Sequence, residues 1–171
     1  TPVGVYRSQT RGGRGIAGGK SKDGDLLSHL FVTSTHDTLL IVTDFGRLYW
    51  LKVWQLPDLD RTARGRSIRN LIEGIGTEEG IRAILATRDF EPGRFLLFST
   101  ARGKVKKTPL EAYSRPRRAG IIATKLAEGD RLVGAALVDK DEEILLCTMN
   151  GQVVRFDQKE VRPMGRNAAG V

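Results

Sequence analysis

Four glycines, Gly15, Gly65, Gly120 and Gly170, mark one phase of an internal repeat and lie 50, 55 and 50 residues apart. A chain written as repeats has little architectural freedom, because each unit must bury its apolar face against a neighbour of the same kind. The clearest part of the repeat is Thr-x-x-Gly between apolar runs. It occurs as Leu39 to Tyr49 around Thr43 and Gly46, as Phe95 to Lys106 around Thr100 and Gly103, and as Ile144 to Val154 around Thr148 and Gly151. Each copy reads as a β-hairpin: an apolar run enters, a short loop ending in glycine turns, and a second run leaves. Gly46, Gly103 and Gly151 are expected to take positive φ there. Residues 30–34, 81–87 and 132–138 are further strand candidates ahead of the three hairpins.

The opening of the chain repeats downstream. Thr1-Pro2-Val3 with Tyr6, Arg11 and Gly15-Ile16 is matched by Thr108-Pro109-Leu110 with Tyr113, Arg117-Arg118 and Gly120-Ile121. Lys20, Gly24, Asp25 and Leu27 then follow Gly15 at the offsets at which Lys125, Gly129, Asp130 and Leu132 follow Gly120. Approximate repeats are 15–64, 65–119 and 120–170, each with room for about four short strands. No segment sustains the i, i+3, i+4, i+7 pattern of an amphipathic helix. The fold class expected is therefore all-β: a propeller-like array of four-stranded blades in a single domain over 1–171. Closed propellers take roughly four to eight blades, so three predict an open half-ring with an exposed edge, or a ring completed by residues outside this sequence.

Charge follows the same phase. Lysine and arginine number 28 against 20 acids, a net charge of +8 with pI near 10.0. The first basic stretch holds Arg7, Gln9, Arg11, Gly12, Gly13, Arg14 and Gly15, with Lys20 and Lys22 behind them and no acid between. The second holds Arg61, Arg64, Arg66 and Arg69. The third holds Lys104, Lys106, Lys107, Arg115, Arg117 and Arg118, and the last is a weaker set with Arg162 and Arg166. Acids gather ahead of the hairpins, at 73–91 and 128–143. Equal phase means equal place on successive blades, so these residues are candidates for one positive band that holds a curved polyanion. Duplex DNA fits, with contacts to phosphates rather than bases.

Other chemistry is weakly represented. Gly18-Gly19-Lys20-Ser21 resembles the end of a phosphate-binding loop, but Arg14 stands where the first glycine belongs. His29, His36 and the lone Cys147 do not compose a zinc set, and Cys147 in an apolar run is expected in the core. His36-Asp37 reads as a turn. Trp50 and Trp54 are expected on one face of a strand, in core or inter-blade packing. No apolar run is long enough to span a membrane, and a single cysteine fits a reducing cytoplasm. The start at Thr1-Pro2 shows neither initiator Met nor signal peptide, so the sequence reads as a piece of something longer.

On these residues the chain resembles the C-terminal domain of the A subunit of bacterial DNA gyrase, along essentially its whole length. Gln9-Thr10-Arg11-Gly12-Gly13-Arg14-Gly15 is similar to that family's seven-residue box, Gln-(Arg/Lys)-Arg-Gly-Gly-(Arg/Lys)-Gly, with Thr10 replacing a base. Thr35-His36-Asp37, Tyr49-x-Leu51-Lys52-Val53 with Pro57, and Val161 to Arg166 with Gly170-Val171 add to the match. The resemblance implies a β-pinwheel whose neighbouring blades exchange strands, about its first half. It implies chiral wrapping of duplex DNA that lets an ATP-driven holoenzyme of two A and two B subunits introduce negative supercoils. It also implies that this segment carries no catalytic tyrosine, metal, cofactor or small-molecule site, ATP and magnesium belonging elsewhere in the holoenzyme. The related topoisomerase IV subunit, whose box is degenerate or absent, and a protein-interaction propeller are the alternatives. Tyr6, Tyr49 and Tyr113 are assigned no chemistry.

Overall fold

The computed structural model describes residues 1–19, 24 and 26–171. Among these residues nine strands run in chain order: β1 Thr38–Thr43, β2 Arg47–Lys52, β3 Ile81–Thr87, β4 Phe95–Thr100, β5 Val105–Pro109, β6 Ile121–Ile122, β7 Leu132–Val138, β8 Glu143–Cys147 and β9 Val153–Asp157. Helical structure among the described residues is limited to short 3-10 turns such as Val53–Gln55, Leu110–Tyr113 and Gln158–Glu160.

The expected hairpins are present, as β1-β2, β4-β5 and β8-β9. The Thr-x-x-Gly signature has a common geometry. The glycine amide donates to the threonine carbonyl at 3.0 Å in all three, and φ is 71°, 78° and 80° at Gly46, Gly103 and Gly151. The threonine hydroxyl accepts from the residue after the glycine, Arg47, Lys104 or Gln152, at 3.1–3.3 Å. Threonine pins the turn through its side chain, and glycine takes a conformation that other residues take at a cost.

The sheets mix repeats. β1 and β2 are flanked by β3 and β6, giving the order β3-β1-β2-β6, and the second sheet runs β5-β4-β7. The strand ahead of each later hairpin thus pairs with the preceding hairpin, the exchange that the resemblance implies. The second sheet also gains a fourth edge from Val171, whose amide and carbonyl bond to Val105 at 2.9 and 2.8 Å. The sequence equivalent of that pair is Ile121 beside Leu48 in the first sheet.

A central strand buried on both faces needs apolar residues throughout, and all six residues of β1 are buried. Alternation sends Leu40 and Val42 against Leu96, Phe98 and Leu132 of the second sheet and against Leu110 and Tyr113 of the 3-10 turn that follows β5. Leu39 and Ile41 face Tyr49, Leu51 and Ile72. Leu97, Val105 and Val138 face the third hairpin through Ile144 and Val161. Each large aliphatic side chain so buried contributes roughly 1.5–3 kcal/mol.

Three expectations fail. Residues 30–34 form no strand. Cys147 is exposed at the end of β8. Trp54 lies in the 3-10 turn after β2, 66% exposed, so it does not share a strand face with Trp50.

Candidate nucleic-acid interface

The basic phases share a turn. Gly13 N donates to Thr10 O at 2.9 Å, Ala63 N to Asp60 O at 2.9 Å, Gly120 N to Arg117 O at 2.9 Å and Ala168 N to Gly165 O at 3.1 Å. The second residue of every turn is an arginine: Arg11, Arg61, Arg118 and Arg166. The last three each follow their hairpin glycine, Gly46, Gly103 or Gly151, by 15 residues. One arginine is therefore delivered to the same place after each blade. Chain order alone gave this signal, and the phase glycines obscured it because the second interval is longer.

The box loop has a local reason for its glycines. Gly12 sits at φ 85°. A Cβ on Gly13 would lie 2.9 Å from Gln9 Oε1 and 3.1 Å from Thr10 O, so Gln9 closes against the loop backbone. No atom lies within 4 Å of a Cβ placed on Gly15. Arg7, Arg11 and Arg14 are exposed. The loop is carried close to the second basic phase: Arg61 Nη1 donates to Ala17 O at 3.0 Å, and Thr1 Oγ1 to Leu59 O at 2.6 Å. Lys20 and Lys22 lie outside the described residues, as does the lysine of the Gly18 to Ser21 sequence.

Arg64, Arg66 and Arg162 are exposed. Arg69 donates to the carbonyls of Thr77 and Glu79 at 2.8 and 3.0 Å, so part of its hydrogen-bonding capacity fixes a loop. Arg118 pairs with Glu73. Beyond it, Arg115, Arg117 and Arg166 line a cavity of about 360 Å³ together with Glu111, Ala112 and Ser114. This joins the basic phases of the second and third repeats. Among the described residues, the arginine salt bridges involve Arg47, Arg82, Arg88, Arg94, Arg118, Arg131 and Arg155. Of the candidate arginines, only Arg118 is among them. Guanidiniums that lack a carboxylate partner are available to an incoming phosphate.

Lys106 and Lys107 correct the sequence reading. They are buried, 1% and 3% exposed, inside β5. Lys106 Nζ donates to the carbonyls of Ala123 and Arg166, and lies 5.7 Å from the Phe98 ring centroid. Lys107 Nζ donates to Gln158 O and Oε1 at 2.7 and 2.6 Å. Burial pushes the Lys106 ammonium down to about 8, with the nearby Arg166 charge adding to the effect. Burial lowers Lys107 too, against an opposing pull from Asp157. Neither ammonium can reach a phosphate. The signal was in the repeat: the matching positions of the first hairpin are Tyr49 and Trp50. These are long apolar side chains with a polar tip, whose tips donate to Gly74 O and Tyr113 O at 2.8 Å. Lys104, equivalent to Arg47, is half-buried at the hairpin end.

Carboxylates fix the blade ends and were not anticipated. Asp44, 2% exposed, accepts from Gly80 N and from Arg131 Nη1, both at 2.9 Å. Glu79, 4% exposed, accepts from Gly76 N, Thr43 Oγ1 and Tyr49 Oη at 2.8, 3.0 and 3.2 Å. Among the described residues, no group of three His, Cys, Asp or Glu could hold a metal ion. No helix among them is long and apolar enough to cross a membrane.

Comparison with known proteins places this arrangement. A family model described as the DNA gyrase C-terminal domain, beta-propeller, matches residues 1–34, 37–79, 94–139 and 142–171. The DNA gyrase A subunit of Klebsiella oxytoca is 47% identical over 170 residues, 99% of this chain and 19% of the relative. That of Chlamydia muridarum is 46% identical over 172 residues, 99% of this chain and 21% of the relative. The chain thus spans about a fifth of the curated relatives it matches. A solved DNA gyrase A C-terminal domain aligns with all of this chain and 54% of its own, at TM-score 0.76 and 28% identity. A C-terminal domain of DNA topoisomerase IV aligns with 80% of this chain and 42% of its own, at TM-score 0.72 and 36% identity.

Proposed function

The chain belongs to the DNA gyrase C-terminal domain family, and on that footing we propose that it is a non-catalytic module that binds duplex DNA without sequence preference and wraps it along its arginine turns. The observation that carries the proposal is the recurrent turn with Arg11, Arg61, Arg118 or Arg166 at its second position. A ligand held by such a series must itself be a repeating polyanion. The box loop next to Arg61 starts the band, and the cavity of Arg115, Arg117 and Arg166 continues it between the later repeats. The contacts are charge-assisted hydrogen bonds to phosphate, which place the duplex without reading its bases.

In the whole protein, wrapping presents one duplex segment to the strand-passage machinery of a type II topoisomerase. That machinery, its tyrosine, ATP and magnesium lie outside this segment, and the assembly is two A and two B subunits in the bacterial cytoplasm. Topoisomerase IV is the second reading, favoured by the 36% identity to its solved C-terminal domain. Six of seven matching box positions favour gyrase.

Duplex titrations across a salt series test the binding. A log–log slope of several units, at about 0.9 per phosphate contact, is expected, with duplex preferred over single strands. A shallow slope, or a preference for unpaired ligand, would count against the proposal.

A further inference from the structure

Two of the arginine turns sit on the hairpin of the blade before their own, and the residue three places after that hairpin's glycine carries them. In the first blade this residue is Tyr49, three after Gly46. A Cβ on Gly120 would lie 2.5 Å from the Tyr49 ring, so the glycine that closes the Arg117–Gly120 turn packs directly on it. Arg47 donates to Ala119 O of the same turn. In the second blade the residue is Lys106, three after Gly103. A Cβ on Gly170 would lie 3.2 Å from Lys106 Cβ, and Lys106 Nζ donates to Arg166 O. That carbonyl lies inside the turn that Ala168 N closes on Gly165 O. The lysine also reaches where Tyr49 does not. Its second hydrogen bond, at 2.8 Å, goes to Ala123 O, three residues past the Arg117–Gly120 turn, where the Tyr113 hydroxyl also donates at 3.0 Å. One ammonium thus ties together two successive basic stretches, the same two whose Arg115, Arg117 and Arg166 line a common cavity.

We propose that Lys106 is a positioning residue for DNA wrapping: by holding Ala123 O and Arg166 O together it sets the spacing of two successive arginine turns, and with it the bend that a bound duplex follows between them. The DNA part of this proposal rests on the wrapping function proposed above, whereas the spacing is a property of the protein without DNA. Phosphates recur at fixed intervals along a stiff duplex, so contacts that keep their number but lose their spacing still bind and no longer bend. Stability alone does not account for a lysine here. Burial lowers its ammonium, so holding the charge near neutral pH costs stability, and a methionine of similar length fills the strand without that cost. What methionine lacks is the pair of donors that joins the two carbonyls. Buried polar groups of this kind can serve to fix one arrangement among several.

Amide hydrogen exchange and DNA topology, both read on Lys106→Met in the whole protein, test the proposal. The amides of 165–168 are expected to exchange roughly ten-fold faster, as the loss of one hydrogen bond to a charged group implies. Those of β4 should keep their protection, as should those of the Arg117–Gly120 turn, which retains Arg47 and Tyr49. The salt slope of duplex binding should stay as it is, while the linking shift at saturating protein falls by about half or more. Unchanged exchange at 165–168, or equal acceleration in β4, would overturn the positioning role. A full linking shift despite faster exchange at 165–168 would overturn the step from spacing to bend. No linking shift with the unaltered protein would instead overturn the wrapping function, and the DNA part of the proposal with it, whatever the exchange result.

Discussion

Lys106 and Arg166 touch each other and do opposite things. The lysine ammonium is sealed in β5 and donates to the arginine's own carbonyl, while the arginine lines a cavity with Arg115 and Arg117. Both residues stand in basic stretches, and charge counting treats them alike. The difference is one of address. A residue inside a strand between two sheets holds the blades together. A residue at the second position of a turn after the blade faces outward. Net charge of +8 is thus an upper measure of what the surface offers a polyanion.

The contrast makes distinct claims about folding stability. The largest effect is expected from Lys106→Ala, which leaves the Ala123 and Arg166 carbonyls without this donor and opens a void beside Phe98. A loss of about 3 kcal/mol in denaturant unfolding is expected. Lys106→Met, which refills the volume without a charge, should lose much less. Equal losses from the two would show that the void is not what matters.

The next effect is a pH dependence. Lys106 lies at about 8 in the folded chain against an ordinary 10.5, so between these values the unfolded chain holds the extra proton. Stability should therefore rise as pH goes from about 8 towards 10, by on the order of 1–2 kcal/mol, Lys107 adding in the same direction. Above pH 10 the sign reverses. Burial and the neighbouring Glu79 push Tyr49 up to about 12, so the unfolded chain loses that proton first. Lys106→Met should flatten most of the rise. An unchanged rise would assign it to another group.

The smallest stability effect belongs to the outward set. Arg115→Gln, Arg117→Gln and Arg166→Gln together should shift stability by no more than about 0.5 kcal/mol. The same triple change should reduce the salt slope of duplex binding by up to about 2.7, three contacts at roughly 0.9 each. A large stability loss with an unchanged slope would place these arginines with Lys106.

Much of the fold was legible because the repeat supplies three readings of one pattern. The hairpins, their glycines and the strands over 81–87 and 132–138 follow from apolar runs bounded by turns. Residues 30–34 misled because an apolar run becomes a strand only with a neighbour to pair with, and none of the described strands pairs with this segment. Cys147 misled for the same reason: an apolar run is buried only if its sheet is complete. The arginine turns were legible as composition but not as geometry. The buried lysines needed the comparison of Lys106 with Tyr49, since a lysine stem packs like an aromatic body when its tip finds carbonyls.

The central claim is that the arginine turns bend duplex DNA around the protein. A closed circular duplex relaxed by a type I topoisomerase in the presence of the chain, then freed of protein, reports this directly through its linking number. The expected result is a shift whose sign corresponds to trapped positive writhe, largely lost in Arg11→Ala/Arg14→Ala while binding is only modestly weakened. DNA that is retained on a gel at equal protein concentrations but shows no linking change would contradict wrapping and leave only a basic surface.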